Sequence, residues 1–502
     1  MVSARHSVAL ASLLICAHAQ PSVHLDNGLS VQGQLSSIAP TVAEFLGIPY
    51  AQPPVGDLRW APPQALASNS TKFANATVMP KSCWQNITME PDMVTYDVPE
   101  FSIGSAGMSE DCLTTSIWTP VEALETAENE AGLPVLIWFF GGGFTTGGVD
   151  VPYQMPAQWV ERSQSHIVVS FNYRINLFGF PNSAALTEQN LGLMDQRLAV
   201  EWVQENIAKF GGDPDKMAIW GHSAGSIAVD YYNFAYPEDP IVKGLIMDSG
   251  TAHLDQLMSL DTAQSSFSLV AANVGCGNTT DAVAELACMR KVPAETLESF
   301  IVNYHFSGAT PSLSFSVIAD EKLVFSNYTE RAEAGAMSDL PAIIGFNARE
   351  GVFLATYNTS GLDEATVASL SYSYFWCPST KTTLERVAAN RTTHRFFYNG
   401  NFTNVSPRFF EGAYHGSELP MLFGTHANFR GNSTPFQYEV SHTMQDAYLA
   451  FISDPVSGLD GVGWPAYEAA GGAVRAYGEN GTAATVRSLV DIEDECGALG
   501  LL

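Results

Sequence analysis

The chain has 502 residues, 46% of them apolar and 15% charged, which provides ample material for a folded core and excludes a disordered or fibrous protein. An excess of 52 acidic over 23 basic residues leaves a net charge of −29, which repels phosphate backbones and excludes nucleic acid as a partner. No run of 18 or more apolar residues follows the N-terminus, so stable membrane insertion is not expected.

Residues 1–19 carry Arg5, an apolar stretch over 8–17 and a small-x-small ending at Ala17-His18-Ala19, the pattern of a cleaved signal peptide. A secreted, extracellular chain of residues 20–502 follows. It is expected as one domain, because no linker composition or internal repeat divides it. Six cysteines then remain: Cys83, Cys112, Cys276, Cys288, Cys377 and Cys496. An even count in an oxidising exterior suggests three disulfides, with the pairing open. Acceptor sequences N-x-S/T scattered from Asn69 to Asn480 also point to an exported glycoprotein.

Short strands are expected at 29–33 and 42–48, followed by a proline-rich loop at 49–56 that cannot be helical. Residues 113–118 alternate as a strand, and 133–140 form a continuous apolar run suited to a strand covered on both faces. The stretches 168–172, 217–220, 244–247 and 342–346 repeat that pattern. Between them, 195–209 places Leu198, Trp202, Val203 and Ile207 at helical spacing. This alternation predicts an α/β fold with a large, mostly parallel central sheet and helices on both faces. The stretches 255–335 and 360–410 are less strand-like and are expected to be excursions that wall an active site.

Residues 210–226 read as a loop, an apolar strand and an abrupt turn at Gly221-His222-Ser223-Ala224-Gly225. Glycines on both sides let neighbouring backbone approach, so the serine hydroxyl can stand proud of a strained strand-to-helix turn. The helix expected from Ser226 points the partial positive charge of its N-terminus at that serine. Upstream, Phe140-Gly141-Gly142-Gly143-Phe144 follows a buried strand, where consecutive glycines can turn free N–H groups toward one point and form an oxyanion hole. Hydrolases built on G-x-S-x-G take nucleophile, acid and base in that chain order. Glu350 follows the strand at 342–346, where the acid belongs. Beyond it lie His394, His415, His426 and His442. His415 sits in a loop between Gly412 and Gly416 and is preferred, whereas His394, beside an N-x-T sequence, reads as surface. The residues alone leave this choice open.

Together with 45–51, Leu58-Arg59-Trp60, Glu110-Asp111-Cys112-Leu113, Asn172-Tyr173-Arg174, Asp248-Ser249-Gly250 and Arg349-Glu350-Gly351, these motifs resemble the type-B carboxylesterase/lipase family. That family is the cholinesterase-like branch of the α/β-hydrolases, and the likeness is to a secreted member of fungal type over nearly the whole mature chain. The resemblance implies a serine carboxylic-ester hydrolase acting through an acyl-enzyme, with Ser223 as nucleophile, His415 as base and then acid, and Glu350 as the group that orients it. Gly142, Gly143 and Ala224 would supply oxyanion N–H groups, and Ser249 a buried hydroxyl near Glu350. It also implies the pairs Cys83 with Cys112, Cys276 with Cys288 and Cys377 with Cys496, and structural ion pairs Arg59–Glu110 and Arg174–Asp195. The expected partner is a small-molecule or lipid ester, with no metal or cofactor. Activity is expected to fall below roughly pH 6–7, where an ordinary imidazole protonates.

Cholinesterases carry a glutamate where His222 stands, and a choline-stacking tryptophan midway along the loop that here spans 84–111. In this loop the tryptophan is Trp84, beside the disulfide, and Phe101 lies nearer the relevant place, so choline esters are not expected. His222 is expected to point beside the site. The same loop carries Ile87, Met89, Met93, Val94, Tyr96, Val98, Phe101, Ile103 and Met108. It reads either as a permanent wall, the preferred reading because Pro91, Pro99, Gly104 and Gly107 interrupt any helix, or as a flap that opens on lipid. A lipase or sterol esterase, a transacylase and a non-catalytic adhesion protein are the alternatives. The last is disfavoured by the presence of Ser223, Glu350 and His415.

Overall fold

Runs of valine, isoleucine and leucine that bury both faces of a strand build the centre of the protein. The structure, a computed structural model, describes residues 20–67, 72–85, 92–127, 131–254, 257–259, 261, 263–277 and 280–502. The signal peptide expected over 1–19, the sequons at Asn69, Asn86 and Asn278, and loop residues Ile87, Met89 and Pro91 lie outside the described residues.

Among the described residues the main sheet has eleven strands. In chain order they are β1 Gln34–Leu35, β2 Val42–Pro49, β3 Thr114–Pro120, β4 Leu133–Phe139, β5 Ile167–Phe171, β6 Gly212–His222, β7 Gly244–Asp248, β8 Ala342–Asn347, β9 Thr393–Tyr398, β10 Ala473–Glu479 and β11 Thr482–Ser488. Their spatial order is β11-β10-β9-β8-β7-β6-β4-β5-β3-β2-β1. Every ladder from β10 through β5 is parallel. The flanking pairs β10–β11, β5–β3, β3–β2 and β2–β1 are antiparallel. The expected α/β-hydrolase architecture is thus present, as a mixed sheet flanked by helices.

The helices that matter for the site are α1 Leu191–Asn206, α2 Ala224–Ala235, α3 Cys377–Ala388, α4 Pro435–Ser453 and α5 Val490–Ala498. Along β6 the side chains alternate between faces. Trp220 therefore meets Tyr448 of α4, with ring centroids 5.7 Å apart, and Ile219 turns to the other face. Residues 265–306 form three helices, as expected of an excursion, and bury Phe267, Val270, Met289 and Leu297 against Trp60 in a separate apolar cluster.

The stretch 360–410 departs from expectation, because it contains the core strand β9. Its sequence, Thr393-His394-Arg395-Phe396-Phe397-Tyr398, places a histidine and an arginine inside the sheet, and His394 is buried rather than on the surface. Arg395 is tolerated there because Glu493 of α5 lies 3.2 Å away, with both side chains buried. The hairpin β10–β11 was not anticipated either, although its signal is explicit: Asn480 and Gly481, both at positive φ, form the two-residue turn between Glu479 and Thr482.

The three disulfides pair as the resemblance implied. Cys377–Cys496 joins α3 to α5 across 119 residues and encloses β9 and the His415 loop. Replacing both of these cysteines with serine is expected to lower stability by about 4–5 kcal/mol, read from urea or guanidinium midpoints. An unchanged midpoint would show that the non-covalent packing of α5 suffices.

Candidate active site

Strand β6 ends at His222 and α2 begins at Ala224, so a single residue turns the chain. Ser223 makes that turn with φ 55° and ψ −125°, a conformation that costs about 1–3 kcal/mol for a residue with a side chain. It is held there from several directions. A Cβ on Gly221 would lie 2.2 Å from the carbonyl oxygen of Gly225, and one on Gly225 would lie 2.0 Å from that of Phe139. Strand, helix and the end of β4 therefore touch backbone to backbone. The Ser223 N–H donates to the Asp248 carbonyl at 2.9 Å. His222, Ala224 and Gly225 are buried, while Ser223 keeps part of its surface open.

After β4 the glycine turn reverses at Gly142 and Gly143, with φ 113° and 62°. The N–H groups of Thr145 and Thr146 each donate to the Gly142 carbonyl at 3.0 Å, which fixes that peptide with its oxygen turned away. A Cβ on Gly141 would stand 3.0 Å from the Cβ of Ser223, so the turn lies directly against the serine. Among the described residues, the N–H groups of Gly142 and Gly143 have no protein acceptor. As the first residue of α2, Ala224 has no intrahelical acceptor for its own N–H.

Beyond β8, Glu350 is fully buried. Its Oε1 accepts from the Ser249 hydroxyl at 2.5 Å and from the Asn347 N–H at 2.6 Å, while Oε2 lies 2.6 Å from Nδ1 of His415. The Arg349 N–H donates to the Ala413 carbonyl at 2.9 Å, drawing the acid loop onto the histidine loop. Burial pushes the Glu350 carboxyl up to about 8, opposed by the Asn347 N–H and the Ser249 hydroxyl. These donors and a hydrogen on Nδ1 of His415 all favour the ionised form, and an imidazolium formed next door would add to them. The His415 ring is held by Phe375, Phe353 and His222, with centroids at 4.4, 5.4 and 4.3 Å. Burial drives its pKa down to about 3.

Glu350, His415 and Ser249 thus come together as a hydrogen-bonded set, with Ser223 and the glycine turn beside them. His222 lies beside this set, its ring packed against that of His415. Sequence reasoning passed over Asn347 and Glu418. Asn347 ends β8, and its Nδ2 donates to the Tyr414 carbonyl at 2.7 Å and to Oε2 of Glu418. Glu418 is fully buried three residues after His415, and that proximity to the preferred histidine was the available signal. Both anticipated ion pairs are bidentate: Arg59 with Glu110 at 2.5 and 2.6 Å, and Arg174 with Asp195 at 2.8 and 2.7 Å.

The described part of the 84–111 loop packs inward. Met93 and Val98 are buried in a cluster with Tyr153, Val352 and Tyr414, and Phe101 lies against it. Asp97 accepts from Arg408 Nε at 2.7 Å and from the Tyr357 hydroxyl at 2.8 Å, and Glu100 pairs with Arg430.

The sequence profile of the Carboxylesterase family matches residues 19–368, a span that contains Ser223 and Glu350 and stops before His415. A chlorogenic acid esterase of Aspergillus niger is 42% identical over 482 residues, which cover 93% of this chain and 92% of that protein. Secreted lipase 5 of Gibberella zeae is 40% identical over 496 residues, covering 92% of each chain. Lipase 4 of Diutina rugosa is 31% identical over 483 residues, covering 90% of this chain and 83% of its own.

Burial is expected to move the acid limb anticipated from sequence to lower pH. A base must be neutral to act, and the His415 value of about 3 places its protonation far below that of a solvated imidazole. Initial rates of kcat/KM on an uncharged ester are expected to stay level from about pH 7 to about pH 5. A fall centred between about pH 6 and 7 would show that the ionised Glu350 carboxylate offsets the burial of His415.

Proposed function

The chain belongs to the carboxylesterase family and is a carboxylic ester hydrolase, and from that premise we propose that it works through a triad of Ser223, His415 and Glu350. The observation that carries this reading is the contact of Glu350 Oε2 with His415 Nδ1 at 2.6 Å, while Oε1 is occupied by two other donors. That arrangement keeps a hydrogen on Nδ1 and leaves Nε2 as the lone-pair nitrogen that faces substrate chemistry.

In this scheme Ser223 Oγ attacks the ester carbonyl carbon as its proton passes to Nε2 of His415. The new oxyanion takes the N–H groups of Gly142, Gly143 and Ala224. The carbonyl then re-forms, the C–O bond to the alcohol breaks, and His415 returns the proton to the departing oxygen. Water repeats the sequence on the acyl-enzyme and releases the acid. Ser249 and Asn347 keep Glu350 ionised and in place.

We further propose an extracellular protein whose catalytic unit spans residues 20–502, consistent with its three disulfides. Likeness to the Aspergillus niger esterase makes chlorogenic acid the first substrate to try. The half-buried ring of Phe353 beside His415 suits a flat aromatic acyl group. The second reading, a lipase with a mobile 84–111 flap, draws on the likeness to secreted lipase 5. The ion pairs of Asp97 and Glu100, with Met93 and Val98 buried, favour a fixed wall instead.

The test is hydrolysis of chlorogenic acid and of p-nitrophenyl esters from acetate to palmitate, below and above the concentration at which the long esters form an emulsion. Ser223→Ala is expected to lower kcat by about a millionfold, and wild type to show no jump at the emulsion threshold. A jump would favour the flap, and retained activity in the variant would remove Ser223 as nucleophile.

A further inference from the structure

Behind the His415 ring lies a second buried carboxyl that the acyl-transfer scheme leaves idle. Oε2 of Glu418 accepts from Asn347 Nδ2. Its Oε1 lies 3.7 Å from Nε2 of His222, and among the described residues neither of these atoms has a hydrogen-bond partner. Leaving two such atoms unsatisfied carries the desolvation penalty of each. At 3.7 Å they stand just beyond hydrogen-bonding distance of one another.

The charges around the pair decide where its hydrogen sits. Glu418 is faced by His222 at the end of β6, Asp248 at the end of β7, Asn347 and Glu350 after β8, Tyr398 of β9 and Tyr448 of α4. No lysine or arginine is among these groups. An ionised Glu418 would place a negative charge beside the Glu350 and Asp248 carboxyls, with no cation among these groups and only neutral donors, Asn347 Nδ2 and the N–H groups of Gly416 and Glu418, to offset it. A protonated His222 would place a positive charge 4.3 Å from the ring that must itself become an imidazolium. A hydrogen on Oε1 of Glu418 creates no new charge and gives the His222 lone pair a donor. Because Oε2 already accepts from Asn347, Oε1 is the oxygen free to carry it.

We propose that Glu418 is a positioning residue that holds its own proton on Oε1 and donates it to Nε2 of His222, so that a neutral pair fixes the His222 ring against His415. The proposal rests on the triad reading. Burial, reinforced by the Glu350 charge and opposed by the Asn347 amide and the N–H groups of Glu418 and Gly416, pushes the Glu418 carboxyl up to about 8. Burial, and then the neighbouring His415, lowers the His222 pKa. Both directions favour the neutral pair. As pH rises through the Glu418 value, the donor is lost, two acceptors face each other, and the ring beside the base loses its hold.

The test compares the pH dependence of kcat and KM for a dissolved ester in wild type, Glu418→Gln and Glu418→Leu, with Ser223→Ala as reference and thermal melts to confirm folding. Wild type is expected to lose kcat above about pH 8. Glutamine can donate its amide hydrogen to Nε2 while its oxygen accepts from Asn347. Glu418→Gln should therefore recover most of the roughly tenfold kcat that Glu418→Leu loses at unchanged KM, and should lack the alkaline limb. An alkaline limb in Glu418→Gln like that of wild type would overturn the proposal. So would a folded Glu418→Gln as slow as Glu418→Leu. If Glu418→Leu does not fold, the limb in Glu418→Gln decides alone. Activity retained in Ser223→Ala would remove the triad and this proposal together, whereas an inactive Ser223→Ala with an unaltered limb in Glu418→Gln removes this proposal alone.

Discussion

The site depends on a backbone-to-backbone contact. Where Ser223 turns, β6, α2 and the end of β4 approach so closely that no side chain fits between them at Gly221 or Gly225. The strained φ of Ser223 is over-determined by this contact and by the hydrogen bond to Asp248. Val135, Ile137 and Ile219, all fully buried in the sheet, anchor it from below. Precision at the serine is therefore a property of the core, and a change two layers down would move the Ser223 hydroxyl.

The second constraint is electrostatic. Asp248, Glu350 and Glu418 are fully buried, and His222 and His415 nearly so, and the five groups interact with one another across space. The structure handles this load with neutral donors. Trp220 Nε1 and the Tyr448 hydroxyl serve Asp248 at 2.7 and 2.9 Å, and Ser249 and Asn347 serve Glu350. Such a site is quiet at rest and responds strongly when one proton moves, because screening is weak where water is excluded.

Much of this was legible in the sequence because it follows from backbone rules. Apolar runs of strand length located β2 to β8, and the glycine patterns located the turn at Ser223 and the turn after β4. The errors have a common cause, since they fall where polar residues are buried by partners distant in sequence. Arg395 hides inside β9 because Glu493 meets it, 98 residues later. Glu418 and Asn347 read as ordinary polar residues until the fold sets them behind His415. The motif around His222 likewise gives no sign of the ring it meets across space, that of His415. The lower acid limb expected of His415 rests on burial, a tertiary property that no local pattern carries.

The bridge from Cys377 to Cys496 also bears on the timing of synthesis. Ser223 leaves the ribosome early, while the loop that carries His415 is enclosed by a strap whose second anchor is made 273 residues after the serine. At ordinary elongation rates that interval is on the order of tens of seconds. On the proposed triad, the growing chain holds Ser223 through that interval before the bridge that encloses the His415 loop can close.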